Sequence, residues 1–158
     1  LQSTVESRVE AINDRFGTDH WRPVVYTTDH LSDRELDGLY HRGDVALVSP
    51  LRDGLNLVAQ EYVAAQLDED GVLVLSDQAG IHDLLGEPAV SVSPPDVEGF
   101  ATGIERALLM APAERRRRMR ALRTQVLSND LDDWMGRVFD VASSLYHGSE
   151  GGFGRASA

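Results

Sequence analysis

The residues best placed to do chemistry lie in Val48-Ser49-Pro50-Leu51-Arg52-Asp53-Gly54-Leu55-Asn56-Leu57-Val58-Ala59-Gln60-Glu61. An apolar run ends at Val48, a turn passes through Gly54, and a helix is predicted from the Asn56 cap to about Gln66. The first N–H groups of a helix have no intrahelical partner, and the helix dipole adds about half a positive charge there, so such a start suits an anion. A glycine just before it lets a ligand approach the main chain closely. Asp53 precedes the helix and Glu61 follows eight positions later. Two carboxylates beside an anion site can hold two sets of sugar hydroxyls with a diphosphate between them, as a nucleotide sugar requires. The competing meaning is plain: Asp53 and Asn56 cap a helix and Glu61 is solvated. For an isolated aspartate-glycine turn that meaning is the commoner one.

Composition limits the chemistry. The 158 residues include 26 Asp+Glu, no cysteine and no lysine, so all fifteen basic side chains are arginine. Schiff-base catalysis, the lysine of a P-loop, disulfides and cysteine-zinc sites are excluded. A formal charge of −11 argues against non-specific nucleic-acid binding. No signal peptide or membrane span is evident, so a cytoplasmic location is the default expectation. Residues 51–100 hold ten acids against the single Arg52, so a diphosphate there needs backbone N–H groups and cations from elsewhere.

The elements that must position this loop follow from periodicity. Val5, Val9, Ile12 and Phe16 recur at helical spacing over 3–16, and Gly17 stops the helix. Pro23–Tyr26 reads as a short strand. Ser32 with Glu35 has the capping-box pattern and opens a helix ended by Gly43. Val45–Val48 and Val72–Leu75 read as strands buried on both faces, and Val90–Val92 as an edge strand. A short helix is predicted over 81–85, and further helices over about 96–110, 113–128 and 131–146. Strands alternating with helices indicate an α/β fold: a Rossmann-like parallel sheet with helices on both faces, followed by carboxyl-terminal helices. Ligands of such sheets bind at the carboxyl ends of the strands, where the loop in question begins. One domain is expected over 1–147, with a disordered tail over 148–158.

The block Leu51–Gln66, then Gly71–Ser76, Ala79-Gly80 and Val90–Val92, resembles the carboxyl-terminal half of UDP-forming trehalose-6-phosphate synthases, retaining glycosyltransferases of the two-domain GT-B fold. The resemblance also takes in Ile12-Asn13, Phe16-Gly17, Trp21, Pro23, Arg118-Met119, Leu122-Arg123 and Asn129-Asp130 to Trp134. It implies transfer of glucose from UDP-glucose to glucose-6-phosphate with retention. Asp53 would bind hydroxyls of the glucose, with main-chain groups of Gly54, Leu55 and Asn56 lining the same sugar. The N–H groups of Leu57 and Val58 would hold the diphosphate, Glu61 the ribose, and the backbone of Leu31 the uracil. No metal and no cofactor beyond the donor substrate are implied.

The same resemblance leaves no counterpart here for the family's amino-terminal domain, with most of the acceptor site, or for the start of the carboxyl-terminal domain. The latter supplies an arginine and a lysine for the leaving diphosphate. The domain is thus expected to be truncated at its start and, alone, to bind donor weakly and turn over negligibly. A missing amino-terminal glycosyltransferase domain or a second copy of the chain is the partner expected, with no nucleic acid and no membrane. Two alternatives stand beside it: a non-catalytic docking or regulatory module, and the same fold with another acceptor, as in glucosylglycerol-phosphate synthases.

Other signals have simpler explanations. Arg115–Arg118 fan out around a helix and read as a solvated face, with the stems of Arg115 and Arg118 over the edge of Met119, Leu122 and Val126. Asp68-Glu69-Asp70 reads as a surface turn at the end of the sheet opposite the site. The five histidines show no metal-ligand pairing. Trp134, Val138 and Val141 are spaced as core residues.

Overall fold

The computed structural model describes residues 2–129. The predicted helix 131–146 with Trp134, Val138 and Val141, and the tail 148–158, lie outside the described residues. The chain divides into two units, Leu1–Glu35 and Leu36–Ala158.

In the first unit, α1 (Gln2–Phe16) forms as its periodicity predicts, but none of its residues is buried. Gly17 donates its N–H to the Asn13 carbonyl at 2.7 Å, and a Cβ there would lie 2.4 Å from the same oxygen, which explains the glycine. Pro23–Tyr26 is not a strand. The Val24 peptide groups are satisfied by a side chain instead: Asn13 Nδ2 donates to the Val24 carbonyl at 2.9 Å, and Val24 N–H donates to Asn13 Oδ1 at 3.0 Å. An asparagine amide carries the same donor and acceptor as a peptide, so it substitutes for a strand partner.

Helix α2 (Asp33–Arg42) starts at the predicted Ser32–Glu35 pair. Glu35 accepts from both the N–H and the hydroxyl of Ser32, at 2.9 and 2.6 Å, and these bonds hold its carboxyl below the usual range. Gly43 closes the helix by donating to the Leu39 carbonyl at 2.9 Å.

The second unit is built on a three-stranded parallel sheet in the order β1 (Val45–Val48), β2 (Val72–Ser76), β3 (Val90–Val92). Val45 lies beside Val72 and Val48 beside Leu75, while Val74 lies beside Val90. The connections are α3 (Leu57–Ala65) between β1 and β2, and α4 (His82–Leu85) between β2 and β3. Helices α5 (Val97–Leu108) and α6 (Pro112–Leu127) follow, with Asp96 capping α5 through a bond from Gly99 N–H and Pro112 opening α6.

Alternation along β2 divides the core. Leu73 and Leu75 join Ala59, Tyr62 and Val63 of α3 and Met119 and Leu122 of α6, while Val72 and Val74 join Ala107 and Met110. The central strand is therefore covered on both faces, and all five of its residues are buried. Fully burying each such leucine or valine contributes about 1.5–3 kcal/mol.

Strand β1 departs from expectation. Only Val48 is buried, and Leu47 is 45% exposed. The physical reason is its place in the sheet: β1 has β2 on one side and no strand on the other among the described residues. An apolar run encodes a capacity for burial on both faces, and the cover must come from other elements.

The arginines of α6 are more than a solvated face. Arg123 donates to the Val63 and Ala64 carbonyls at the end of α3, at 3.1 and 2.7 Å. Arg115 does the same to Leu108 and Met110 at the end of α5, and Arg118 to Pro88 and Ala89. Helix ends leave carbonyls unpaired, and a cation there meets both the hydrogen-bonding need and the dipole. Arg120 reaches Glu69 at 2.6 Å, fixing the predicted surface turn, in which Glu69 has φ 58°.

Candidate functional site at the start of helix α3

The loop after β1 is anchored from beneath. Ser76, buried at the end of β2, donates its hydroxyl to the Pro50 carbonyl at 2.8 Å and accepts from Gln78 N–H at 3.0 Å. Three residues on, Asp53 pairs with Ala79 in an isolated parallel bridge: Asp53 N–H donates to Gln78 at 3.4 Å, and Gly80 N–H donates to the Asp53 carbonyl at 3.0 Å. The β1–β2 pairing thus resumes beyond the strands and carries the aspartate with it. Gly80 makes the approach possible, since a Cβ on it would sit 1.9 Å from the Gly54 carbonyl oxygen. Gly54 itself has open space where its Cβ would be.

Asn56 then does two things with one amide. Its Oδ1 accepts from Ala59 N–H at 2.9 Å, the N-cap bond of α3, and its Nδ2 donates to Asp53 Oδ2 at 2.7 Å. The cap therefore also fixes the carboxylate. Asp53 and Asn56 are both half-buried. Among the described residues Asp53 Oδ1 takes no hydrogen bond, so one carboxylate oxygen stays available.

With Ala59 N–H satisfied, the Leu57 and Val58 N–H groups at the open end of α3 make no hydrogen bond among the described residues. Both residues are exposed, as are Leu51 and Leu55 of the preceding turn. Unpaired donors at the positive end of a helix dipole, on the surface and next to a glycine, have the polarity and access that an anion would need.

Glu61 is exposed on α3, and its Oε2 accepts from the Tyr40 hydroxyl of α2 at 3.2 Å. Asp53, Gly54, Leu55, Asn56, Leu57, Val58 and Glu61 all belong to the second unit. Leu31 belongs to the first, half-buried ahead of Ser32. Arg52 is exposed and enters no ion pair among the described residues.

At the end of β2, hydrogen bonds from Gln78 and Ser93 hold the Asp77 carboxyl below its usual range, adding a negative charge at this edge. No group of three or more His, Asp or Glu among the described residues could hold a metal ion. Nor is any helix there long and apolar enough to cross a membrane.

Sequence reasoning missed Tyr40 and the role of Gly80 in the Asp53 bridge. Tyr40 lies 21 residues from Glu61, and no local pattern announces that pair. Gly80 was visible only as part of the resemblance.

Residues 1–144 match glycosyltransferase family 20. The chain is 41% identical over 152 residues to the trehalose-6-phosphate synthase of Mycobacterium tuberculosis, covering 96% of this chain and 30% of that protein. Two solved structures resemble it closely. A trehalose-6-phosphate protein from E. coli bound with UDP-2-fluoro glucose has a TM-score of 0.83 and 38% identity, over 88% of this chain and 31% of its own. An α,α-trehalose-phosphate synthase (UDP-forming) from Burkholderia xenovorans in complex with glucose-6-phosphate has a TM-score of 0.82 and 38% identity, over 88% and 31%. The chain thus spans about 30% of the length of the curated relative, and its sheet is the Rossmann-like part of a GT-B fold. The matched segment runs from α1 through the whole of β1, the Asp53 turn and α3, and the chain belongs to glycosyltransferase family 20.

Proposed function

We propose that the chain is the donor-binding part of a retaining glycosyltransferase that moves glucose from UDP-glucose to glucose-6-phosphate. The observation that carries this is the Asp53–Val58 turn, where a clamped carboxylate and two unpaired N–H groups are presented together. Asp53 takes glucose hydroxyls, and the main chain of Gly54, Leu55 and Asn56 lines the sugar. Leu57 and Val58 N–H take the diphosphate, and Glu61 the ribose. Support comes from relatives of this family solved with UDP-2-fluoro glucose and with glucose-6-phosphate. The reading includes a cytoplasmic location and no metal, since main-chain donors can meet the phosphates directly.

In the transfer, the bond from the glucose anomeric carbon to the diphosphate oxygen breaks and UDP leaves with the electron pair. A hydroxyl of the acceptor bonds to the same face of that carbon, and its proton passes to the leaving phosphate. Charge stabilisation at such an oxygen is worth about 3 kcal/mol per donor. The chain has no lysine to supply that charge. Alone it is expected to bind donor weakly and turn over negligibly.

Titration calorimetry with UDP and UDP-glucose tests the binding. Both are expected to bind, Asp53→Ala weakening UDP-glucose and Glu61→Ala weakening both. No heat at millimolar ligand, with both variants folded and indistinguishable from the wild type, refutes the assignment.

A further inference from the structure

We propose that Tyr40 is a positioning residue for Glu61, making ribose recognition depend on the contact between α2 and α3. The inference rests on the assignment of Glu61 to the ribose hydroxyls and adds a residue outside that set.

Tyr40 is held at both ends. Its carbonyl accepts from Gln66 Nε2, in a residue only 4% exposed at the end of α3, and Tyr40 packs, partly buried, against the core cluster to which Tyr62, Val63 and Met119 belong. The Tyr62 hydroxyl donates to the Gly43 carbonyl at 2.9 Å, fixing the chain just past α2. The Tyr40 hydroxyl therefore reaches Glu61 from a rigid base, at 3.2 Å from Oε2.

A carboxylate can accept at both oxygens. With Oε2 engaged by the phenol, Oε1 has no hydrogen-bond partner among the described residues and Glu61 remains exposed, so one oxygen is left for a vicinal diol. An exposed glutamate without the phenol samples several rotamers and must be ordered when ligand binds. Tyr40 meets that ordering cost in advance. A phenol is protonated at neutral pH, so the Tyr40 hydroxyl is a donor there, and burial and the neighbouring carboxylate both raise its pKa further.

The test compares UDP with 2′,3′-dideoxy-UDP by titration calorimetry on the full chain. Tyr40→Phe keeps the ring in the core, and its urea midpoint verifies folding. The wild type is expected to prefer UDP. Tyr40→Phe should weaken UDP about three- to tenfold, the range for losing one pre-ordered side chain, and leave dideoxy-UDP unchanged. In a Glu61→Ala background Tyr40→Phe should add nothing. Equal weakening of both ligands, or unchanged UDP affinity, overturns the proposal while leaving Glu61 in its role. If Glu61→Ala keeps the preference for UDP, the assignment of Glu61 fails and the role of Tyr40 fails with it.

Discussion

Two glycines one loop apart should respond oppositely to the same added methyl group. In Gly80→Ala the new Cβ starts 1.9 Å from the Gly54 carbonyl oxygen, and real Cβ atoms essentially never come within 3.0 Å of such an atom. That oxygen is main chain, so the Asp53–Gly54 segment must retreat by more than an ångström. Overpacking of this kind costs about 1–3 kcal/mol. The retreat also strains the 3.0 Å bond from Gly80 N–H to Asp53, worth about 1 kcal/mol. The expected loss is about 2–4 kcal/mol. Gly54→Ala meets nothing within 4 Å, and no glycine among the described residues has positive φ, so the backbone accepts alanine without strain. Lower entropy of the unfolded chain should then stabilise it by about 0.4–1 kcal/mol. Yet its methyl group would occupy the space assigned to the sugar, weakening UDP-glucose by about tenfold, or 1.4 kcal/mol, while sparing UDP. Urea unfolding and calorimetry on the two variants give both readouts. Gly80→Ala within 0.5 kcal/mol of the wild type would refute the close-approach argument. Gly54→Ala that binds UDP-glucose normally would remove the sugar from this turn.

Two further outcomes concern the scaffold. Arg123→Ala should cost about 1.5–3 kcal/mol in urea unfolding, since it strips charge-assisted bonds from the Val63 and Ala64 carbonyls, whereas Arg123→Lys should recover part of the loss. Glu114, held by Arg117 and Arg118, has its pKa lowered from 4.5 to about 2. Its folded-state pKa is the depressed one, so its contribution is complete above pH 4.5 and is lost as pH falls toward 2. Urea midpoints between pH 6 and 2 should fall less steeply for Glu114→Gln than for the wild type, and parallel curves would show that this ion pair contributes nothing.

Elements announced by local chemistry were legible in the sequence. Ser32 with Glu35, Gly43 and Asn56 stand at helix ends for reasons that need only neighbouring residues, and the parallel strands followed from apolar runs between helices. What depended on distant partners was not legible. Pro23–Tyr26 looks like a strand, but the Asn13 side chain satisfies Val24, so no neighbouring strand is needed. Val45–Val48 is as apolar as β2, yet among the described residues only β2 lies between two strands. Within the site, the Asn56 cap was readable, whereas its second bond to Asp53 and the phenol on Glu61 come from tertiary placement. The arginines of α6 show the same limit: periodicity places Arg115, Arg118 and Arg123 on a helix, and the carbonyls they reach belong to three other segments.

In the proposed function the open N–H groups of α3 take the diphosphate. Amide shift mapping of the ¹⁵N-labelled chain during titration with UDP tests it most directly. The largest changes are predicted at Leu57 and Val58, with smaller ones at Asn56 and Glu61, and Asp68–Gly71 at the opposite end of the sheet should stay still. Saturable changes centred elsewhere, with Leu57 and Val58 unmoved, would contradict it.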